Sequence, residues 1–277
     1  MKKIIALLLF GTQCWLYAQN DRFIYAVDYK KDSTSQEMTR ENYMLDITKE
    51  DLAYYNQIDY INDSVFASTG KDGFKGFKLT PFFTKKLNNP LYENYEYIGD
   101  VNFYKIEEVV TLDWKITDHT KLINELKVQQ AETNFGGRKW IAWFTPEIPL
   151  SYGPYKFNGL PGLIIEIYDT RKNYFFQLIK SEKIADNYQS HTLKGRKSNA
   201  IKTNYKKLDH LKLELYQDPF KYVFNGKLSI PEGKKLLLDD GTILSKEELK
   251  PAEKREREKM RSFNNPVELD KAVKYPD

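Results

Sequence analysis

His119, His191 and His210 are the only histidines in this 277-residue chain, and they set the limit on general-base chemistry near neutral pH. A serine or cysteine nucleophile needs one of them within hydrogen-bond reach. None sits in a recognisable motif, and His119, following Asp118 in a turn, reads as a surface residue. Zinc needs clustered His, Cys, Asp or Glu at ligand spacing, whereas these histidines are scattered and Cys14 is the single cysteine. Asp239 and Asp240 could contribute to a calcium site, yet beside Gly241 they read first as a turn. Gly136-Gly137-Arg138 leads into a strand, so no helix N-terminus is offered to a phosphate. The sequence therefore predicts no catalytic residue, no metal and no cofactor.

Recognition chemistry is better represented. Arg138 with Trp140 and Trp143 could form an aromatic and guanidinium surface for an acidic or planar ligand, and Tyr152 and Tyr155 extend this candidate binding set. A competing account is internal: the guanidinium binds backbone carbonyls of the loop from Gly153 to Gly159, and the indoles fill the core. The internal account is favoured, because aromatic residues in strands are core material first.

These residues surround Gly153-Pro154-Tyr155-Lys156-Phe157-Asn158-Gly159-Leu160-Pro161-Gly162-Leu163-Ile164, a glycine and proline hinge that enters the most apolar strand of the chain. Pro154 and Pro161 fix φ and push the preceding residues to extended conformations, while Gly153, Gly159 and Gly162 allow tight bends or close backbone approach. The hexapeptide Gly159-Leu160-Pro161-Gly162-Leu163-Ile164 resembles the signature of the GLPGLI family, exported proteins of Bacteroidetes-type bacteria with no established biochemical role. The resemblance extends to Trp114-Lys115-Ile116, Ala131, Gly137-Arg138, Ala142-Trp143-Phe144-Thr145, Ile148-Pro149, Gly153-Pro154 and Asn265-Pro266-Val267-Glu268-Leu269. Many members carry a cysteine where this chain has Val128, so no thiol role is carried over.

The first residues read as a signal peptide: Lys2-Lys3, an apolar run from Ile4 to Phe10, and Ala18 before Gln19. Gln13 before Cys14 argues against a lipid anchor. Residues 1–18 are expected to be removed, leaving 19–277 as one β-rich domain with a partly helical extension over about 245–277. The expected location is the periplasm or the periplasmic face of the outer membrane, with no transmembrane span in the mature chain. With 43 basic and 39 acidic residues, the charge is too balanced to point to nucleic acid.

The elements that must position these groups are mostly strands. Phe23, Tyr25, Val27 and Tyr29 alternate with Arg22, Ile24, Ala26 and Asp28, and further strands are expected at 42–48 and 52–60. Phe77, Leu79 and Pro81 suggest an edge or strand end. Val110, Leu112, Trp114 and Ile116 alternate with polar residues, which predicts a strand with one dry face. Arg138 to Thr145 is apolar on both faces. Leu163 to Tyr168 and Tyr174 to Ile179 flank a short hairpin loop. One helix is expected near 203–217, short strands over 220–244, and a charged helix opened by Pro251.

Together these signals predict a mainly β fold, an antiparallel meander forming a strongly curved sheet or half-barrel. Two functions fit it. One is a non-enzymatic envelope protein that binds an unknown envelope protein or a lipid-like ligand at a concave face or sheet edge. The other is a periplasmic hydrolase or peptidase with an unrecognised acidic site.

Overall fold

The computed structural model describes residues 20–71, 80–99, 102–238 and 241–276. The signal segment with Cys14, the Phe77 and Leu79 positions, and Asp239-Asp240 lie outside the described residues.

Three strands open the fold, β1 (Asp21–Tyr29), β2 (Thr39–Ile47) and β3 (Asp51–Asn56), and helix α1 (Gln57–Thr69) follows directly. The chain continues through β4 (Phe82–Lys86), β5 (Leu91–Tyr97), β6 (Phe103–Val109), β7 (Lys115–Ile123), β8 (Leu126–Phe135), β9 (Arg138–Thr145), β10 (Leu163–Asp169) and β11 (Tyr174–Lys183). Then come α2 (His191–Ser198), β12 (Ile201–Lys202), α3 (Tyr205–Gln217) and α4 (Lys221–Phe224). A small hairpin of β13 (Leu236–Leu237) and β14 (Ile243–Leu244) precedes α5 (Lys246–Ser262).

Twelve strands form one sheet in the order β12-β6-β5-β4-β3-β2-β1-β11-β10-β9-β8-β7. The fold is mainly β and the pairing antiparallel, apart from the parallel β12–β6 contact. Two meanders, β1 to β6 and β7 to β11, are joined where β1 pairs with β11, so the first strand becomes the middle of the sheet. The sheet is not closed.

β1 shows why its position matters. Phe23, Tyr25, Val27 and Tyr29 enter the main core with Leu45, Tyr54, Trp140, Ile164 and Phe176. On the opposite face Ile24 packs with Met44, Tyr55, Phe82, Tyr95 and Leu193 of α2. Both faces of β1 are thus dry, and Arg22 and Ala26 are buried as well. α3 closes a further cluster by setting Leu208 against Ile98, Tyr104 and Ile106. Among the described residues, no helix is long and apolar enough to cross a membrane.

Several elements differ from the sequence expectation. The strand expected to reach Tyr60 stops at Asn56, whose side chain accepts from the Ile58 N–H and caps α1. α1 turns Asp59, Asn62 and Asp63 inward, so its buried face carries no apolar repeat to read. Residues 110–114 are irregular rather than strand, and Ile116, expected on a dry face, is exposed. The 203–217 helix begins at Tyr205, capped by Asn204. The Ser245 capping box is present, but α5 runs through Pro251 instead of starting there. Proline early in a 17-residue helix removes one backbone donor without ending it.

Candidate functional site

The loop between β9 and β10 is placed by backbone bonds to itself and to the strand that follows it. Leu163 and Ile164 donate to the carbonyls of Ile148 and Tyr152, and Gly159 donates to Ser151. Gly162 is held so close to β9 that a Cβ there would lie 2.1 Å from the Thr145 carbonyl oxygen. Leu160, Leu163 and Ile164 are buried, Pro161 faces solvent, and Gly153 backs onto Ile164. The Tyr25 hydroxyl donates to the Ile164 carbonyl at 2.7 Å, and the Trp114 indole donates to the Asn158 carbonyl at 2.8 Å.

From this frame Phe157 enters the core, its ring 4.7 Å from Trp140 and 6.1 Å from Phe176. Tyr155, beside it, has φ 53°, the left-handed region that a tyrosine seldom adopts. Its ring meets Tyr54 at 6.1 Å, Phe83 at 5.8 Å and Phe135 at 6.4 Å, and its hydroxyl donates to Glu268. Burial, reinforced by the Glu268 charge, pushes the Tyr155 phenol well above its ordinary pKa.

Lys156 lies between these rings with only 2% of its surface exposed. Its ammonium pairs with Glu108 at the end of β6 and with Glu268. Lys271 pairs with the same two carboxylates and donates to the Tyr205 hydroxyl of α3. Burial would raise the Glu108 carboxyl, but Lys156 and Lys271 outweigh it and hold the group below the usual range. Burial likewise would lower Lys271, and its bonds to Glu108, Glu268 and Tyr205 outweigh it and raise it. Two carboxylates thus converge, but on two ammonium groups. Glu108 is thereby held ionised rather than poised to give or take a proton at neutral pH.

Arg138, buried at the start of β9, has the kind of role the internal account expected but with other partners. It donates to the Val267 and Pro266 carbonyls at 3.1 and 2.7 Å and to the Asn265 side-chain oxygen at 2.6 Å, and it pairs with Asp169. The C-terminal segment therefore takes the place assigned to the Gly153 to Gly159 loop. Tyr174 donates to the Asn265 carbonyl, and Asn265 donates to the Lys30 carbonyl. A Cβ at Gly136 would sit 2.7 Å from the Glu268 Cα, so only glycine lets the segment pass so close.

The five candidate binding residues are consequently divided. Trp140 and Tyr155 gather around the loop interior, with Tyr152 half-buried at its rim, whereas Arg138 is taken up by the C-terminal segment and Asp169. Trp143 points to the opposite face of β9 from Trp140, as strand alternation requires. There the Lys121 ammonium lies 4.3 Å from its ring and pairs with Glu166, and the buried indole N–H has no hydrogen-bond partner among the described residues. The histidines stay apart: His119 contacts Gln130, His191 stacks on Phe66, and His210 pairs with Glu214. Among the described residues no three His, Cys, Asp or Glu side chains gather in a metal-binding group.

Among the clefts that the described residues leave open to solvent, two concern charged side chains. One of about 590 Å³ lies between Arg261, Asn264, Asp270 and Tyr275. The other, about 310 Å³, lies over Arg22, whose guanidinium is sandwiched by Tyr60 and Tyr188 and bonded to Asp46. Neither is lined by the rings around Phe157.

A further open feature is an edge. β7 ends the sheet, and no strand among the described residues pairs with its outer side. It is exposed along nearly its whole length, including Ile116 at 44% and Leu122 at 72%. At the other end β12 has two residues. The sequence reading missed β7 as an edge because pairing order is a long-range property.

A family model described as a protein of unknown function, Porph_ging, matches residues 96–166, from the end of β5 through the loop into β10. A search of curated proteins finds no match. Among solved structures, "Structure of PNGF-II in C2 space group" is similar with a TM-score of 0.52 and 13% identity over 70% of this chain and 33% of that one. The same protein in space group P21 gives a TM-score of 0.51 and 12% identity with the same coverage. At that identity the likeness is one of fold, and this chain spans about a third of the PNGF-II length. The chain is thus similar, over the stretch that carries Trp114, Arg138 and the hinge, to a family of unknown function.

Proposed function

We propose that this is an exported, non-enzymatic assembly protein whose sheet bends around residues 146–162 and which takes an extended protein segment as an added strand along β7. The observation that carries the reading is the edge itself: a nine-residue strand whose outer side is unpaired among the described residues, with Ile116 and Leu122 in solvent, beside an interior already filled. Strand addition supplies affinity through main-chain hydrogen bonds and selectivity through alternate side chains.

Bending is supported by Tyr155, whose ring meets Tyr54 of β3 and Phe135 of β8. Those strands stand six ladder steps apart in the sheet order, roughly 29 Å across a flat sheet at about 4.8 Å per step. A lipid-like ligand on the inner face would have to displace Phe157 and Leu160, both buried there. Export to the periplasm or the periplasmic face of the outer membrane rests on Lys2-Lys3, the Ile4 to Phe10 run, Ala18 and the GLPGLI resemblance. The hydrolase alternative loses support because Glu108 and Glu268 are neutralised by Lys156 and Lys271.

Mild purification from the native envelope tests this reading, using the wild type and an Ile116→Lys/Leu122→Lys variant. A recurrent protein companion that the variant loses supports it. A recurrent lipid whose amount is the same in both overturns it.

A further inference from the structure

The segment that the β7 edge receives can be named from the edge's own pattern. We infer that it is β7 of a second copy of this chain, paired antiparallel about a two-fold axis at His119. This rests on the edge reading above and specifies its partner.

The first argument is spacing. Ile116 lies three residues before His119 and Leu122 three after, and both are exposed. An antiparallel pair centred on His119 sets Ile116 opposite the partner's Leu122, and symmetry repeats the contact. Ile116 and Leu122 pair with Ala131 and Lys127 of β8, residues of like parity, so both project from one sheet face. The two apolar pairs would therefore form on that same face. In this register Lys115 meets the partner's Ile123, Asp118 the partner's Thr120, and Lys121 the partner's Thr117. No two like-charged side chains stand directly opposite.

The second argument is the bulge. Between Ile116 and Thr120 the β7–β8 register slips, giving β7 extra residues. The Thr117 carbonyl is taken by the Gln129 side chain at 2.8 Å, and Thr117 and His119 both contact Gln130. Only the flanks, Lys115-Ile116 and Thr120 to Ile123, keep regular ladder pairing. A straight foreign strand would meet the bulge halfway along. A copy with the same bulge, turned about the axis, sets flank against flank and bulge against bulge.

The third argument is that one of the two lysines on β7, the kind of residue that guards an edge, is turned away. A lysine along an edge commonly blocks added strands. Lys121 instead folds back over Trp143 and pairs with Glu166.

Sedimentation equilibrium of the purified protein across the micromolar range provides the test. The wild type is expected to form a concentration-dependent dimer. Leu122→Lys and Ile116→Lys should each raise its Kd about tenfold or more, since each buries a charge in the contact. Measured at concentrations below the dimer Kd, their urea midpoints should stay at the wild-type value, because both positions are exposed in the single chain. In a Cys14→Ser background, His119→Cys should form a disulfide-linked dimer on mild oxidation, and Val109→Cys, exposed at the end of β6, should not. A monomeric wild type overturns the second-copy assignment. If the lysine variants still abolish capture of an envelope protein, the edge reading survives that failure. A dimer indifferent to both lysine substitutions also overturns the assignment.

Discussion

The Arg138 guanidinium donates to the Asn265 side-chain oxygen at 2.6 Å, joining the first residue of β9 to a segment 127 positions further along the chain. Both residues are buried, and the same guanidinium also holds the Pro266 and Val267 carbonyls. Asp169, the ionic partner, has backbone donors of its own at Asn173 and Tyr174. The main casualty of losing Arg138 is therefore the C-terminal segment. Arg138→Ala should lower unfolding stability by about 3 kcal/mol, the scale for breaking a buried pair. Asn265→Ala should overlap with it in a double-mutant cycle read by urea unfolding, because the two share one interaction.

The Lys156 cluster makes stability depend on pH at both extremes. Glu108 is held below its ordinary range, so its contribution is complete above the unfolded-state value and is lost as pH falls through the lower folded value. Lys271 is raised, so its contribution is complete below the unfolded-state value and is lost as pH rises through the higher folded one. Urea midpoints measured against pH should fall at the acid and alkaline ends. Glu108→Gln should flatten the acid limb and lower the plateau at neutral pH.

Two glycine substitutions should separate sharply. Gly162→Ala forces a methyl to 2.1 Å from a main-chain oxygen, so β9 and β10 must part, at a cost of about 3 kcal/mol or more. Gly195→Ala, in α2 with nothing within 4 Å, should instead stabilise by about 0.5–1 kcal/mol. Thermal unfolding of the two variants side by side checks both signs.

Phe157 is the loop's anchor, and truncating it should show that the loop belongs to the core. Phe157→Ala is expected to cost about 3–5 kcal/mol. Leu122→Ala, at the exposed edge, should fall within about 0.5 kcal/mol of the wild type when both are compared below the dimer Kd.

How much of this was legible beforehand depended on range in sequence. The hairpin around Asp169 to Asn173, the two-sided burial of β9 and the helix expected near 203–217 each rest on neighbouring residues, and local periodicity was enough to place them, the helix to within two residues at its start. α1 escaped because Asp59 and Asp63 face inward and are satisfied by Arg196 and by Tyr188 and Thr192, which lie more than a hundred residues away. The role of Arg138 was readable as internal from the aromatic company it keeps. Its true partners were not, since nothing local ties residue 138 to residues 265–267. Lys156 carried no signal of its own: a lysine beside two aromatics reads as a surface residue until Glu108 and Glu268 are brought to it by the fold.

The central claim is that recognition occurs along β7 and not inside the loop-filled face. A photocrosslinking amino acid placed at position 122, and separately at Tyr152 on the loop rim, tests it most directly in producing cells. The account predicts a discrete protein adduct from position 122, lost when Ile116→Lys is added, and none from position 152. An adduct of protein or lipid from position 152 with none from position 122 would contradict it.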